Sequence, residues 1–418
     1  MHGIGSGPGA APSPPAPGAG PRRLLAPGRL LRPGEAAADG EAVHRGPYAV
    51  VSLATSGFTP MRDRVVEIAV VRLDANGRLV DEWATLLDPA PGDVGPLLLH
   101  GLVVPDVAGA PRFGDVGRSL LARLEGHVVA AHRADLTQAF LAAEFRAASL
   151  LPPTFPALDT FRLAQASIPT PNHRLPTLAA HLNLAPPTGA AADDARLVTG
   201  VAAAVLGRHR EAIVYPVPAP PALSGPAPAP GPARSRSHRP PAPATDPWLA
   251  ELLAGLRMGA REAHDPRVAL YVETVVGLLA RGRIVADEVR ELGGVLARSG
   301  YSAADIRGVL EHLLESIREA AFERPRLGAA RLRHLRAAAA SLGSPGYFDD
   351  LVPPPAPPAP PPGSGSFARP VRKPPPPPRP PARLPRCGHC LTIGHYTSMC
   401  PRRRRPGPVS PVDPVAPI

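Results

Sequence analysis

The sequence predicts an α/β fold: a mixed sheet flanked by helices, followed by a small all-α bundle, with Pro-rich segments between and around them. Three observations predict it. Strand-like runs come first, at Tyr48–Gly57, Asp63–Asp74 and Arg78–Leu87, and Asn76-Gly77 between the last two is a strong hairpin signal. Strand and helix patterns then alternate as far as Leu206, over about 160 residues, an ordinary length for one domain. Finally, a Pro/Ala stretch ends near residue 245, and the pattern from Asp246 to Leu342 is helical throughout.

Each element has its own warrant. Tyr48–Gly57, YAVVSLATSG, reads as a buried strand entering a tight turn. Asp63–Asp74, DRVVEIAVVRLD, is β-branched almost throughout. In Phe113–Leu124 the apolar residues Val116, Leu120, Leu121 and Leu124 share one helical face. His127–Ala131 is a short buried strand and Leu136–Ala148 a helix. A helix follows Leu158–Thr160 and runs to Ala166, Leu175–Leu182 is a short helix, and Asp193–Leu206 a long apolar one. The helical region breaks near Gly282, Gly300 and Arg324-Pro325. Its two similar phrases, LLARGRIVADEVRELGGVLARSG and AAFERPRLGAARLRHLRAAAASLG, suggest an internal duplication.

Composition sets limits on function. The chain has 418 residues, but 61 prolines and 40 glycines take much of that length out of any core. Residues 1–45, Gly/Pro/Ala-rich, read as disordered, and 46–210 as the α/β domain. Residues 211–245 read as a Pro-rich linker around the basic run ARSRSHR, and 246–345 as the bundle. A second, basic Pro-rich linker spans 346–386, with polyproline II expected. The net charge of +11 favours a polyanionic partner such as nucleic acid. The Ala/Pro/Arg/Gly-heavy usage, with Lys373 the single lysine, has a GC-rich coding sequence as its other source. No apolar run reaches transmembrane length and the N-terminus has no continuous apolar core, so a cytoplasmic protein without membrane contact is expected.

The three cysteines lie together in CGHCLTIGHYTSMC, as Cys387-x2-Cys390-x4-His395-x4-Cys400. Three thiolates and one imidazole make a closed tetrahedral set, the pattern of structural zinc. In so short a segment the ion supplies most of the folding energy. The cysteine usage argues for a reducing compartment. Arg383 and Arg386 precede the motif and Arg402, Arg403, Arg404 and Arg405 follow it, in the basic tail 402–418. This clustered charge is suited to phosphate contacts.

The α/β region resembles the 3′→5′ exonuclease superfamily of the proofreading epsilon-subunit type, with its RNase H-like fold. The phrases that carry the likeness are TSGFTPMRDRVVEIAVVRLD, LHGLVVPDVAGAPRF, LEGHVVAAHRADLTQAFLAAEF, ALDTFRLAQ, NHRLPTLAAHLNL and DDARLVTGVAAAVL. The resemblance implies four carboxylates around two divalent cations, with a histidine as general base. Carried over position by position, the first-motif pair falls on Ser52 and Ala54, the second-motif aspartate on Thr137 and the histidine on Gly189. Only the last aspartate is kept, at Asp194. Ser52 and Ala54 lie two apart on a strand and so share a face. One carboxylate cannot hold two such cations, so neither Mg2+ nor Mn2+ is expected as a cofactor. Asp135, Asp193 and Glu67 are near in sequence but are not expected to substitute. His132 and His173 are read as structural.

The bundle resembles the TerB-type tellurite-resistance domain. Its turns, ARGRIVADE and FERPRLGAAR, carry arginine where that family carries acids and retain Asp287, Glu288 and Glu323. An interaction bundle is expected rather than a cation site. Residues 387–401 resemble the CCHC zinc knuckle, which implies single-stranded nucleic acid bound by stacking, here on Tyr396 and Met399. Gly388 stands where an aromatic is common and Leu391 where a second glycine is common.

The leading expectation is therefore a nucleic-acid-binding protein, for single-stranded RNA or DNA, with a catalytically degenerate exonuclease-like domain. An active exonuclease using a non-standard site around Asp194, Asp135 and Asp193 is the first alternative. A protein-interaction scaffold, recruiting partners through the Pro-rich linkers and the bundle, is the second.

Overall fold

The computed structural model describes residues 23–351, except 33, 210–211, 220–232, 235, 237–246, 283–284 and 323–326. The chain divides into two units, Met1–Pro355 and Ala356–Ile418, and the described residues all belong to the first.

The first unit opens with three short strands, β1 (Leu25–Pro27), β2 (Arg29–Leu30) and β3 (Ala42–Val43). The antiparallel meander follows as β4 (Tyr48–Thr55), β5 (Val65–Leu73) and β6 (Leu79–Leu86). The β5–β6 turn is built as its sequence predicts. Gly77 has φ +76°, and the Asp74 carboxylate accepts the Asn76 and Arg78 backbone N–H groups at 2.8 Å each. Next come α1 (Leu97–His100), α2 (Val104–Val107), α3 (Phe113–Leu124), β7 (Val128–Ala131), α4 (Ala134–Ala147), β8 (Phe155–Asp159), α5 (Thr160–Ser167), α6 (Leu175–Leu182), α7 (Ala191–Arg208) and β9 (Ile213–Tyr215).

Six strands form one sheet in the order β1-β8-β7-β4-β5-β6. β4 pairs antiparallel with β5, from Tyr48 opposite Leu73 to Ala54 opposite Glu67, and parallel with β7. β7–β8 and β8–β1 are also parallel. This is the RNase H-like mixed sheet. β4 is apolar on both faces because both are covered. Ala49 and Val51 pack with Phe113, Leu120, Phe140 and Phe145 of α3 and α4. Tyr48 and Val50 pack with Ala195, Val198 and Ala202 of α7.

Two expectations need correction. Residues 1–45 were expected to be disordered, yet Leu25 is 1% exposed and β1 closes the free edge of β8. The strand is three residues long and its partner lies about 130 residues away, so no local period announces it. Residues 211–245 were expected to be linker, but Ile213–Tyr215 is a buried strand between β2 and β3. Arg234 also bonds to β6: its backbone N–H donates to Thr85 Oγ1 at 3.0 Å and its carbonyl accepts from Leu86 at 2.8 Å.

The bundle comprises α8 (Pro247–Ala254), α9 (Ala260–His264), α10 (Pro266–Ala280), α11 (Ala286–Arg298), α12 (Ala303–Phe322) and α13 (Ala329–Ser341). The expected breaks fall at the ends of α10, α11 and α12. Its core of Leu252, Tyr271, Val275, Leu292, Leu296, Leu314, Ile317 and Leu335 also contains Phe58, a residue of the sheet domain. No helix among the described residues is long and apolar enough to cross a membrane.

Candidate active site and its surroundings

In a mixed sheet of this kind, side chains converge at the C-terminal ends of the parallel strands. Here that edge is formed by β4, β7 and β8. Ser52 and Ala54 lie near the end of β4, on the face covered by α7. Ser52 is half-buried, and Ala54 is buried among Val66, Leu86, Val94 and Leu102. Thr137 is buried in the first turn of α4. Gly189, with φ +79°, lies within 4 Å of the Leu99 carbonyl and His100 Cα, if a Cβ is built on it, so a side chain there meets α1. Asp194 lies in the first turn of α7. The fold thus brings the five positions to one edge, with a single carboxylate among them.

Asp194 behaves as a helix N-terminal acid. Its Oδ1 accepts the Thr188 backbone N–H at 3.0 Å. Burial pushes its carboxyl up to about 7, and the carboxylates of Glu273 and Asp193 push in the same direction. An acid whose folded pKa lies above its unfolded value binds more protons folded than unfolded between the two. Stability from this group is therefore greatest below pH about 4 and is lost as pH rises towards 7. Asp194→Asn keeps an acceptor for Thr188 and removes the titration. The variant is expected to be more stable than the parent at pH 7.5, on the order of 1–3 kcal/mol, with the gap closing below pH 4. Urea unfolding of both proteins across pH 4–8 measures this, and a pH-independent gap contradicts it.

The neighbouring acids are engaged elsewhere. Asp135 faces outward and pairs with Arg162 at 2.8 Å. Asp193 accepts from Thr188 Oγ1 at 2.9 Å and pairs with Arg196 at 3.0 Å. Glu67, opposite Ala54, is 3% exposed. Its Oε2 accepts the Ala191 N–H at the start of α7 and pairs with Arg236 at 2.9 Å. Arg236 also donates to the His100 carbonyl at 2.6 Å. A groove of about 550 Å3 between β6 and the start of α7 is lined by Glu67, Trp83, Thr85, Arg196, Arg234 and Arg236. Among the described residues no group of three or more His, Cys, Asp or Glu side chains is arranged to hold a metal ion. The residues present at the five positions do not fit a two-cation centre.

His132 and His173 are both hydrogen-bonded within the fold, His173 through its Nε2 to the Ile168 carbonyl at 3.0 Å. His132 lies between Thr160 Oγ1 at 3.1 Å and the His173 carbonyl at 3.0 Å, and burial lowers its pKa to about 3. Sequence reasoning missed Arg133, Arg174, Glu262 and Glu273. Arg133 caps α4 with φ +62° and stacks its guanidinium over Phe161 at 4.2 Å. Arg174 and Glu262 are 2% and 5% exposed and join two regions 88 residues apart. The one available signal for such pairs was an ionisable residue within an otherwise apolar stretch, as Glu67 is in DRVVEIAVV. The expected zinc ligands Cys387, Cys390, His395 and Cys400, and the proposed nucleic-acid contacts Arg383, Arg386, Tyr396, Met399 and Arg402–Arg405, lie outside the described residues.

Comparisons with known proteins find partial likenesses. The chain is 28% identical over 162 residues to DNA polymerase III subunit epsilon of Treponema pallidum (strain Nichols), covering 37% of this chain and 74% of that protein. Among solved structures, the nuclease domain of 3′hExo, a DEDDh family member bound to rAMP, is similar over 39% of this chain and 94% of its own. The identity is 14% and the TM-score 0.35. Exonuclease I of E. coli in complex with a dA16 oligonucleotide is similar over 39% of this chain and 41% of its own, at 15% identity and TM-score 0.35. No family model matches the chain.

Proposed function

We propose that this chain is a nucleic-acid-binding protein whose exonuclease-like domain does not hydrolyse phosphodiesters. The observation that carries this reading is the occupancy of the site. Ser52, Ala54, Thr137 and Gly189 stand where the resembled nucleases place three carboxylates and a histidine, and the neighbouring Glu67 is committed to Arg236 and to α7. Two divalent cations need several anionic oxygens to position a water and a leaving group. Asp194 alone does not supply them.

Capture of a single strand is assigned to the C-terminal segment. Cys387, Cys390, His395 and Cys400 would hold a structural zinc ion, since three thiolates and an imidazole complete its tetrahedral shell. Tyr396 and Met399 would offer stacking surface, and Arg383, Arg386 and Arg402–Arg405 would contact phosphates. Zinc thiolates persist in a reducing compartment, which supports a cytoplasmic location.

The test is degradation of 3′-labelled single-stranded DNA and RNA oligonucleotides with Mg2+ or Mn2+, comparing the parent with Asp194→Ala. The expected result is no cleavage above the variant's background. Cleavage that disappears in the variant overturns the reading. On the same oligonucleotides, zinc chelation is expected to weaken binding at least about tenfold. Replacing Arg402–Arg405 by Ala should reduce the salt dependence, roughly by one unit of log–log slope per lost phosphate contact.

A further inference from the structure

The site-bearing edge of the sheet domain is not open to solvent in the usual way. Helices of the bundle lie across it, and the contacts are polar, buried and specific. Asn172, 1% exposed, donates through Nδ2 to the carbonyls of Ala254 at 2.7 Å and Leu256 at 2.9 Å. Thr177 Oγ1 donates to the same Ala254 carbonyl at 2.9 Å. These bonds satisfy carbonyls at the C-terminal end of α8 that have no partner within the helix. Arg174 grips Glu262 of α9 with two parallel bonds of 2.7 Å. Glu273 of α10 meets two elements of the sheet domain. Its Oε1 accepts the Leu175 N–H at 3.0 Å, at the start of α6, and its Oε2 lies 3.5 Å from Arg133 at the start of α4. It is also close enough to raise the pKa of Asp194.

Apolar contacts surround this polar centre. Leu98 and Leu99 of α1 pack on the bundle core, and Phe58 enters it edge-on to Tyr271 at 6.4 Å. Beside Phe58, Thr59 bonds to Ser299, and Arg62 donates to the Arg298 carbonyl at 2.9 Å. The bundle thus touches the turn after β4, α1, the start of α4, and the segment 172–177. The turn follows Ser52 and Ala54 of β4, the start of α4 carries Thr137, and α1 adjoins Gly189.

We propose that α8–α10 form a permanent cover over this edge, so that the surface a two-cation nuclease opens to a scissile phosphate serves here as an interface between two parts of one chain. Charge explains why the cover fits. A set of four carboxylates would repel an approaching glutamate. With Ser52, Ala54 and Thr137 uncharged, Glu273 meets Arg133 and a backbone N–H instead. The substitutions that empty the metal site also admit the cover. The inference goes beyond nucleic-acid binding and does not depend on it. It confines any captured strand to surfaces outside this edge.

The Leu175 amide reports the cover directly, because as the first N–H of α6 its hydrogen bond is to Glu273. In the full chain its hydrogen exchange is expected to be slow. Glu273→Ala should speed it at least tenfold. Glu262→Arg should do the same by opposing Arg174, and the exchanged pair Arg174→Glu with Glu262→Arg should recover part of the protection. Asn172→Ala serves where a charge variant fails to fold. Adding a single-stranded oligonucleotide to the parent should leave Leu175 protected. Rapid exchange in the parent, exchange unmoved by every variant, or loss of protection on adding the strand each overturn the proposal. A protein that binds no oligonucleotide yet keeps Leu175 protected contradicts only the functional reading.

Discussion

Glu262→Ala is expected to destabilise the protein by about 3–5 kcal/mol, read by urea unfolding at neutral pH. Arg174 is among the largest fully buried side chains, and both carboxylate oxygens of Glu262 are bonded to it at 2.7 Å. A guanidinium cannot escape by losing its proton, so truncating the glutamate leaves a buried cation without a counter-charge. Glu262→Gln keeps one acceptor and the volume, and should cost less. Replacing both partners with Met or Leu removes both desolvation costs and should come out closer to the parent than Glu262→Ala alone. A loss below about 1 kcal/mol for Glu262→Ala would mean that the pair is solvated, and the buried interface would then be wrong.

Phe58→Ala is expected to cost about 3–5 kcal/mol, the usual range for emptying a buried aromatic site. The side chain is fully buried, and its neighbours belong to the bundle rather than to the sheet. The cavity therefore opens between the two regions. The bundle and the sheet domain of the variant should then melt separately, and those of the parent together, as differential scanning calorimetry would show. Leu151→Ala is the control: Leu151 is 99% exposed and its truncation should stay within about 0.5 kcal/mol. Equal effects of the two variants would remove Phe58 from the interface.

The regular elements were legible in the sequence wherever a local period reported burial. Phe113–Leu124 and Leu175–Leu182 occur with the predicted bounds, and β5, β6 and β7 lie within their predicted runs. Asn76-Gly77 marked its turn because the backbone there requires φ > 0 at Gly77. Ser52 and Ala54, two apart, were expected to share a face of β4, and both lie in that strand. β1–β3 and β9 were not legible: strands of two or three residues carry no period, and what orders them is a partner far along the chain. Arg234 and Arg236 were read as part of a basic linker, whereas Arg236 is the counter-charge of a buried glutamate.

The sequence by itself determined the α/β plan, the helical bundle, and the grouping of Cys387, Cys390, His395 and Cys400. All of these follow from residue identity and local spacing. The tertiary structure alone decided how the bundle meets the sheet domain. Arg174 with Glu262, Arg133 with Glu273 and Phe58 with Tyr271 join residues 88 to 213 positions apart in the chain. Nothing local distinguishes such residues from solvated charges or ordinary core aromatics. Their roles are set by the desolvation that two packed surfaces impose on each other, which exists only once both surfaces have folded.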